Sequence, residues 1–208
     1  MLPRLYAILD VDLARARGHD PLTLVNTWLD AGVRLVQLRA KREATGPLLE
    51  LADAMNAATR EAGATFIVND RADIARLSGA HGVHVGQSDL SPADVRVVVG
   101  PAAIVGLSTH NDEQVRAGLG EPVTYLAIGP VFPTGSKAQP DPVVGLDGVR
   151  RTVALARSPV RPVVAIGGIT LERARGVIEA GADAVAVLSD LLEGDPGARC
   201  REYLKVLT

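Results

Sequence analysis

Two short apolar runs in this chain stop abruptly on acids. TFIV at residues 65–68 gives way to Asn69-Asp70-Arg71 without a glycine or proline turn, and GVHV at residues 82–85 is followed by Gly86-Gln87-Ser88-Asp89. A pair of carboxylates is a hard-oxygen donor set. It suits Mg²⁺, which takes few protein ligands and keeps its remaining positions for water and phosphate oxygens. Asp70 taken alone serves equally well as the cap of a helix over residues 72–77, because Asp is a favoured N-cap. Asp89 shifts the balance, since Ser91-Pro92 already supplies the cap and first-turn residue of the next helix. It is a spare carboxylate.

A third apolar run ends in Gln37-Leu38-Arg39-Ala40-Lys41. In a strand, Arg39 and Lys41 at i and i+2 share a side, so two cations are expected to face one volume. A planar bidentate guanidinium beside a compact ammonium fits a diphosphate better than a carboxylate. A solvated surface pair is the commoner fate of Arg and Lys, but the acidic pair nearby completes a charge-balanced diphosphate cradle. Gly167-Gly168-Ile169-Thr170 stands between a strand and a helix, where backbone N–H groups and a helix N-terminus can hold a phosphate. Ser189 can add a hydroxyl or its own N–H to the same anion. The plainer reading of the glycines is a tight turn that needs positive φ. The loop PTGSK brackets Gly135 with Thr134, Ser136 and Lys137, between prolines at 130, 133, 140 and 142, and reads as a flap that brings Lys137 over a reacting centre. His84 is mid-strand and reads as a hydrogen-bonded core residue. His110 lies at a rim, where catalysis and helix entry explain it about equally.

The elements that must position these residues follow from periodicity. Strand-length apolar runs occur at residues 5–9, 34–38, 65–68, 82–85, 103–107, 124–128, 162–166 and 184–188, each followed by a segment with helical spacing. Helix starts are marked at Asp20-Pro21, Ser91-Pro92, Asn111 with Gln114, and Thr170. Gly32, Gly63 and Gly181 stand where helices should stop before the next strand. Eight βα units in 208 residues predict a single-domain (β/α)₈ TIM barrel over residues 1–208, with a doubly wound sheet as runner-up. The runner-up lacks its marks: no G-x-G-x-x-G follows the first strand, and Gly135-Ser136-Lys137 is not a Walker A motif. In a barrel the residues just past each strand meet at one mouth, and neighbouring strands lie about 4.8 Å apart, so Asp70 and Asp89 are expected to converge.

The balance of 22 basic and 24 acidic residues is interspersed, with no stripe or tail that suits nucleic acid or a membrane surface, so small molecules are the expected partners. The lone Cys200 excludes a disulfide framework and a Cys-rich zinc site. No apolar run approaches the length of a membrane span, and the N-terminus enters a strand almost at once, which predicts a cytoplasmic protein. A homo-oligomer is compatible with the sequence, which specifies no assembly.

The runs QLRAK, NDRADIA, GVHVGQSDL, GLSTH, AIGPVFPTGSK, AIGGI and AVAVLSDL, in this order and over nearly the whole chain, resemble the thiamine phosphate synthase family. Each run is weak singly; the ordered set is specific. The resemblance implies a TIM barrel that joins hydroxymethylpyrimidine diphosphate to thiazole phosphate with Mg²⁺, releasing pyrophosphate and forming thiamine phosphate. It implies that Gln37, Arg39, Lys41 and Asn69 hold the pyrimidine diphosphate and that Asp70 and Asp89 bind the metal. Ser108 and Lys137 would contact the pyrimidine near its leaving group, and Thr134, Ser136, Gly168, Leu188 and Ser189 would hold the thiazole phosphate, with Gly167 in the same turn. Arg39, Lys41, Ser108 and Lys137 are the expected catalytic set. The family's flap has two threonines around one residue before the lysine. Here Thr134-Gly135-Ser136 keeps the hydroxyl and loses the β-branch, which bears on loop stiffness. Two other functions compete: a thiazole tautomerase on the same scaffold, centred on His110, and a non-catalytic phosphate or thiamine binding module. Neither needs the acidic pair.

Overall fold

The computed structural model describes residues 2–135, 141–158 and 160–208. Its strands are β1 (Leu5–Asp10), β2 (Leu35–Arg39), β3 (Thr65–Asn69), β4 (Gly82–Val85), β5 (Ile104–Thr109), β6 (Tyr125–Ile128), β7 (Val163–Ile166) and β8 (Ala184–Val187). All pair in parallel with their sequence neighbours, and β1 pairs with β8 through Ala7 and Val187, so the sheet closes on itself. Closure decides for the TIM barrel and against the open doubly wound sheet.

The helices α1 (Val11–Ala16), α2 (Pro21–Asp30), α3 (Thr45–Glu61), α4 (Ala72–Leu77), α5 (Pro92–Val99), α6 (Asp112–Leu119), α7 (Gly145–Leu155), α8 (Leu171–Glu179) and α9 (Pro196–Val206) lie outside the barrel. Three expected starts carry their expected caps: the side chains of Asp20, Ser91 and Asn111 accept from the backbone N–H of Thr23, Asp94 and Gln114. At the fourth, α8 begins after Thr170 but the Thr170 side chain makes no cap bond. Leu171 N instead donates to Asp190 Oδ2 at 3.2 Å, an acceptor brought from the far side of β8. That oxygen also accepts from Tyr203 Oη at 2.6 Å and Arg199 Nη2 at 2.8 Å, which fastens α8 and α9 to the loop after β8.

Strand alternation makes two cores. Facing the helices are Leu9, Leu38, Phe66 and Val68, in one cluster with Trp28 of α2 and Met55 of α3. Inside the barrel are Tyr6, Ile8, Leu35, Ile67, Tyr125, Ala127, Val164, Ala184 and Ala186. Inward positions recur every second residue, so the next inward row toward the C-terminal mouth contains Asp10, Arg39, Asn69, Ser108 and Leu188. Among the described residues no helix is long and apolar enough to cross a membrane.

Candidate active site at the barrel mouth

Asp70 is the residue on which the mouth turns. It has φ 63°, and among the described residues it is the one non-glycine with positive φ. Asp tolerates this left-handed conformation better than most side chains, and such outliers gather at functional sites. Its N–H donates to the His84 carbonyl at 2.8 Å, the last rung between β3 and β4 before the chain enters α4 at Ala72. The helix α4 is N-capped at Arg71, without a side-chain cap bond, so Asp70 does not serve as its cap. Arg71 itself turns outward to Asp73, at 2.6 Å. Asp89 accepts from Gly86 N at 2.8 Å, closing a turn after β4, while Ser91 caps α5 as the sequence predicts.

The two acids meet. Burial first, and the neighbouring Asp89 charge second, push the Asp70 carboxyl above its ordinary value, and Lys41 pulls it back down. Lys41 Nζ lies 3.2 Å from Asp70 Oδ2. Two neighbouring carboxylates at a solvent-reachable rim are the kind of oxygen donors that could hold a hard cation. Among the described residues no cluster of three or more His, Cys, Asp or Glu forms a fuller cage, so an ion here would rest on these two and on non-protein oxygens.

Arg39 and Lys41 do not share a side of one strand as their spacing predicts, but pair with carboxylates on opposite neighbours. The strand β2 ends at Arg39, so alternation no longer governs Lys41. Arg39 pairs with Asp10 across the β1–β2 ladder, where the two are register partners, and Lys41 leans the other way, to Asp70 after β3. The two cations therefore flank the mouth. No sequence motif singles out Asp10, although it is the last residue of β1 as Arg39 is of β2 and Asn69 of β3. Its second oxygen caps α1 at Leu13 N, 3.0 Å away, which fixes the carboxylate that in turn orients Arg39.

Gln37 is 3% exposed, one inward step below Arg39, and its Nε2 donates to Tyr6 Oη at 2.8 Å. Ser108 Oγ is 2.8 Å from His84 Nε2. His84 is thus the buried, hydrogen-bonded residue that its mid-strand place predicts. Asn69 closes β3 in the inward row.

The two-glycine turn has a structural task. Gly167 and Gly168 take φ 98° and 63°, and a Cβ on Gly168 would come within 2.5 Å of Pro133 O and 2.8 Å of Phe132. The loop after β6 is laid directly on this turn: Phe132 N donates to Gly167 O at 3.0 Å, and Arg173 clamps both by donating to Gly168 O at 2.9 Å with its guanidinium 4.7 Å from the Phe132 ring centroid. Thr134 follows two residues beyond Phe132 in the loop that rests on this turn. Ser189 opens a 3₁₀ turn over Ser189–Leu192. Ser136 and Lys137 lie outside the described residues. His110 is tied down, with Nδ1 at 2.6 Å from Gly129 O and Nε2 at 3.5 Å from Asp141 Oδ2. A cavity of about 310 Å³ borders it together with Ile128, Pro142, Val144 and Gly148, apart from the acidic pair.

A closed parallel barrel with acids, cations and a glycine turn gathered at its C-terminal face defines the class of (β/α)₈ enzymes, which work at that face. Within that class the chain belongs to the thiamine monophosphate synthase family, whose model matches residues 5–191. It is 48% identical to a thiamine-phosphate synthase of Koribacter versatilis over 99% of this chain and 96% of the relative. It is 40% identical to one of Moorella thermoacetica, over 98% and 95% of the two chains. Among solved structures, a thiamine phosphate pyrophosphorylase from Pyrococcus furiosus superposes with TM-score 0.86 at 30% identity, covering 98% of this chain and 95% of that one. The chain is an enzyme of the transferase class, and its substrates are small molecules.

Proposed function

We propose that this enzyme joins hydroxymethylpyrimidine diphosphate to thiazole phosphate, releasing pyrophosphate and giving thiamine phosphate, by a dissociative substitution assisted by Mg²⁺. The observation that carries this reading is Asp70 in its left-handed conformation, its carboxyl neighbouring that of Asp89 despite the cost of bringing them together. Such an arrangement is retained when a cation offsets it. Asp70 and Asp89 would hold Mg²⁺, which supplies charge stabilisation to the departing diphosphate.

The chain's own residues do the rest. Arg39 and Lys41, on either flank, neutralise negative charge that grows on the leaving group as the pyrimidine methylene carbon takes on cation character. Gln37 and Asn69 orient the diphosphate-bearing pyrimidine above the inner core, and Ser108 offers a hydroxyl near the bond that breaks. Lys137 adds a further cation from the flap. Thr134, Ser136, the Gly167-Gly168 turn, Leu188 and Ser189 anchor the thiazole phosphate on the opposite side, so the thiazole nitrogen is held facing the electrophilic carbon. Holding two reactants in register contributes a large part of such accelerations. No protein nucleophile is required. A tautomerase would centre on His110, whose Nδ1 is engaged by the Gly129 carbonyl, and would leave the acidic pair without a task. A cytoplasmic location belongs to the same reading.

Incubation of the purified protein with both substrates tests it. Thiamine phosphate and pyrophosphate should form in equal amounts with Mg²⁺ and cease to form in EDTA. Turnover indifferent to EDTA, or no product with both substrates and Mg²⁺, would contradict it.

A further inference from the structure

Below the mouth, five side chains from five different strands form one unbroken hydrogen-bonded line across the barrel. Gln37 Nε2 donates to Tyr6 Oη at 2.8 Å, Tyr6 Oη lies 3.1 Å from Tyr125 Oη, Tyr125 Oη is 2.9 Å from His84 Nδ1, and His84 Nε2 is 2.8 Å from Ser108 Oγ. Both tyrosines are 1% exposed. The line is built deliberately into the ladder. His84 on β4 and Tyr125 on β6 are separated by β5, and the β5 residue in register with both is Gly106. A Cβ there would fall 2.3 Å from Tyr125 Oη and 2.5 Å from His84 Nδ1. A glycine is what lets side chains two strands apart meet.

The phenol–phenol and imidazole links can each run in either direction, and the amide at the start selects one continuous direction for the whole line. A Gln Nε2 donates and does not accept, and a phenol has a single proton to give. With the Gln37 N–H directed at Tyr6, the Tyr6 proton goes to Tyr125 and the Tyr125 proton to His84 Nδ1. The imidazole proton then sits on Nε2 and is donated to Ser108. Burial keeps both phenols protonated far above neutral pH, so the line does not lose its protons. Ser108 Oγ is left accepting from His84, with its own proton turned to the mouth.

We propose that Tyr6, Tyr125 and His84 are positioning residues that fix Ser108 as a hydrogen-bond donor to the pyrimidine substrate, by transmitting the orientation of the Gln37 amide across the barrel. The proposal rests on the reading of Ser108 as a pyrimidine contact. It also explains why Gln37, the residue at the other end of the line, belongs to the same substrate's site: both ends answer to one ligand, and a substrate that aligns the amide aligns the hydroxyl. Hydrogen bonds in such a water-poor interior reinforce one another, so the line acts as a unit.

Two measurements test this. Long-range ¹H–¹⁵N spectra of the uniformly labelled protein, with His84 assigned by its loss in His84→Asn, report the tautomer without any reaction. The expected proton is on Nε2, and a proton on Nδ1 would overturn the relay alone, leaving the substrate site as read. Kinetics of Tyr125→Phe, Ser108→Ala and the double variant form a cycle. Tyr125→Phe keeps the ring that stacks on His84 with centroids 5.6 Å apart, and Tyr6→Phe interrupts the same line should the first variant fold poorly. Tyr125→Phe should raise KM for the pyrimidine diphosphate about tenfold, as expected for one misdirected hydrogen bond, and leave KM for thiazole phosphate within about twofold. In the Ser108→Ala background the same change should add almost nothing. Equal effects on both substrates, or penalties that multiply in the double variant, would overturn the proposal. An unaltered KM in Ser108→Ala would overturn it together with the reading of Ser108 that it rests on.

Discussion

Asp70 is held in a state that the fold alone would not choose. Its carboxyl is raised, so the folded chain binds a proton there more readily than the unfolded chain does, and stability is lost as pH rises through the ordinary carboxylate range toward the raised value. The cost grows as pH rises out of the ordinary carboxylate range. Asp70→Asn removes the charge and keeps a residue that tolerates positive φ. The metal-free variant should therefore melt at a higher temperature than the parent at pH 7. The difference should shrink as pH falls below about 4, where the parent's carboxyls are protonated in both states. Differential scanning fluorimetry in EDTA across that range is the check, and a variant that melts lower at pH 7 would show that the Lys41 contact outweighs the repulsion. Turnover should be lost in the same variant, the usual exchange of stability for function at a site.

At the scale of elements, the site depends on places where a strand or turn leaves room. Gly106 admits the Tyr125–His84 contact, and Gly106→Ala should cost about 1–3 kcal/mol by overpacking, read as a shift in urea midpoint at constant slope. Gly168 supports the loop after β6. Gly168→Ala combines strain at φ 63° with a clash against Pro133 O and Phe132. It should lift that loop, raising KM for thiazole phosphate more than for the pyrimidine diphosphate, and equal effects would argue that the turn merely supports the barrel. Neither glycine's packing partner could be found from sequence. Gly106 sits inside an apolar run whose period is correct with or without it, and its reason lies two strands away. The same holds for Asp190, which caps α8 from across β8 while Thr170, the local candidate, makes no cap bond.

At the scale of the molecule, alternation of period 2 and period 3.6 made the barrel legible, because each βα unit must bury its faces on the next and eight of them close. Strand ends moved by a residue or two, which carried Asp10, Arg39 and Thr109 into the ladder. The mouth was legible as a set of residues and not as a geometry: Asp70 and Asp89 converge, while Arg39 and Lys41 part to opposite neighbours because a carboxylate on each side draws them. The closed shell of helices also predicts the behaviour of its one thiol. Burial pushes Cys200 up to about 12, against about 8.5 for a free cysteine, so the folded protein at pH 8 presents almost no thiolate. Iodoacetamide at that pH should leave the native chain unlabelled and modify it fully once urea has unfolded it. Rapid labelling without denaturant would mean that α9 opens from the barrel.

All of these effects converge on whether two acids from consecutive strands work as one metal site. Asp89→Ala removes one of them without touching the cap of α5, which Ser91 supplies. The direct measurement is pyrophosphate release by this variant at saturating Mg²⁺, paired with calorimetric titration of thiazole phosphate. Release should fall by about 100-fold or more, as expected on losing a group that stabilises transition-state charge, with thiazole phosphate affinity unchanged. Release at the parent's rate would mean that the acids do not share a cation in the reaction.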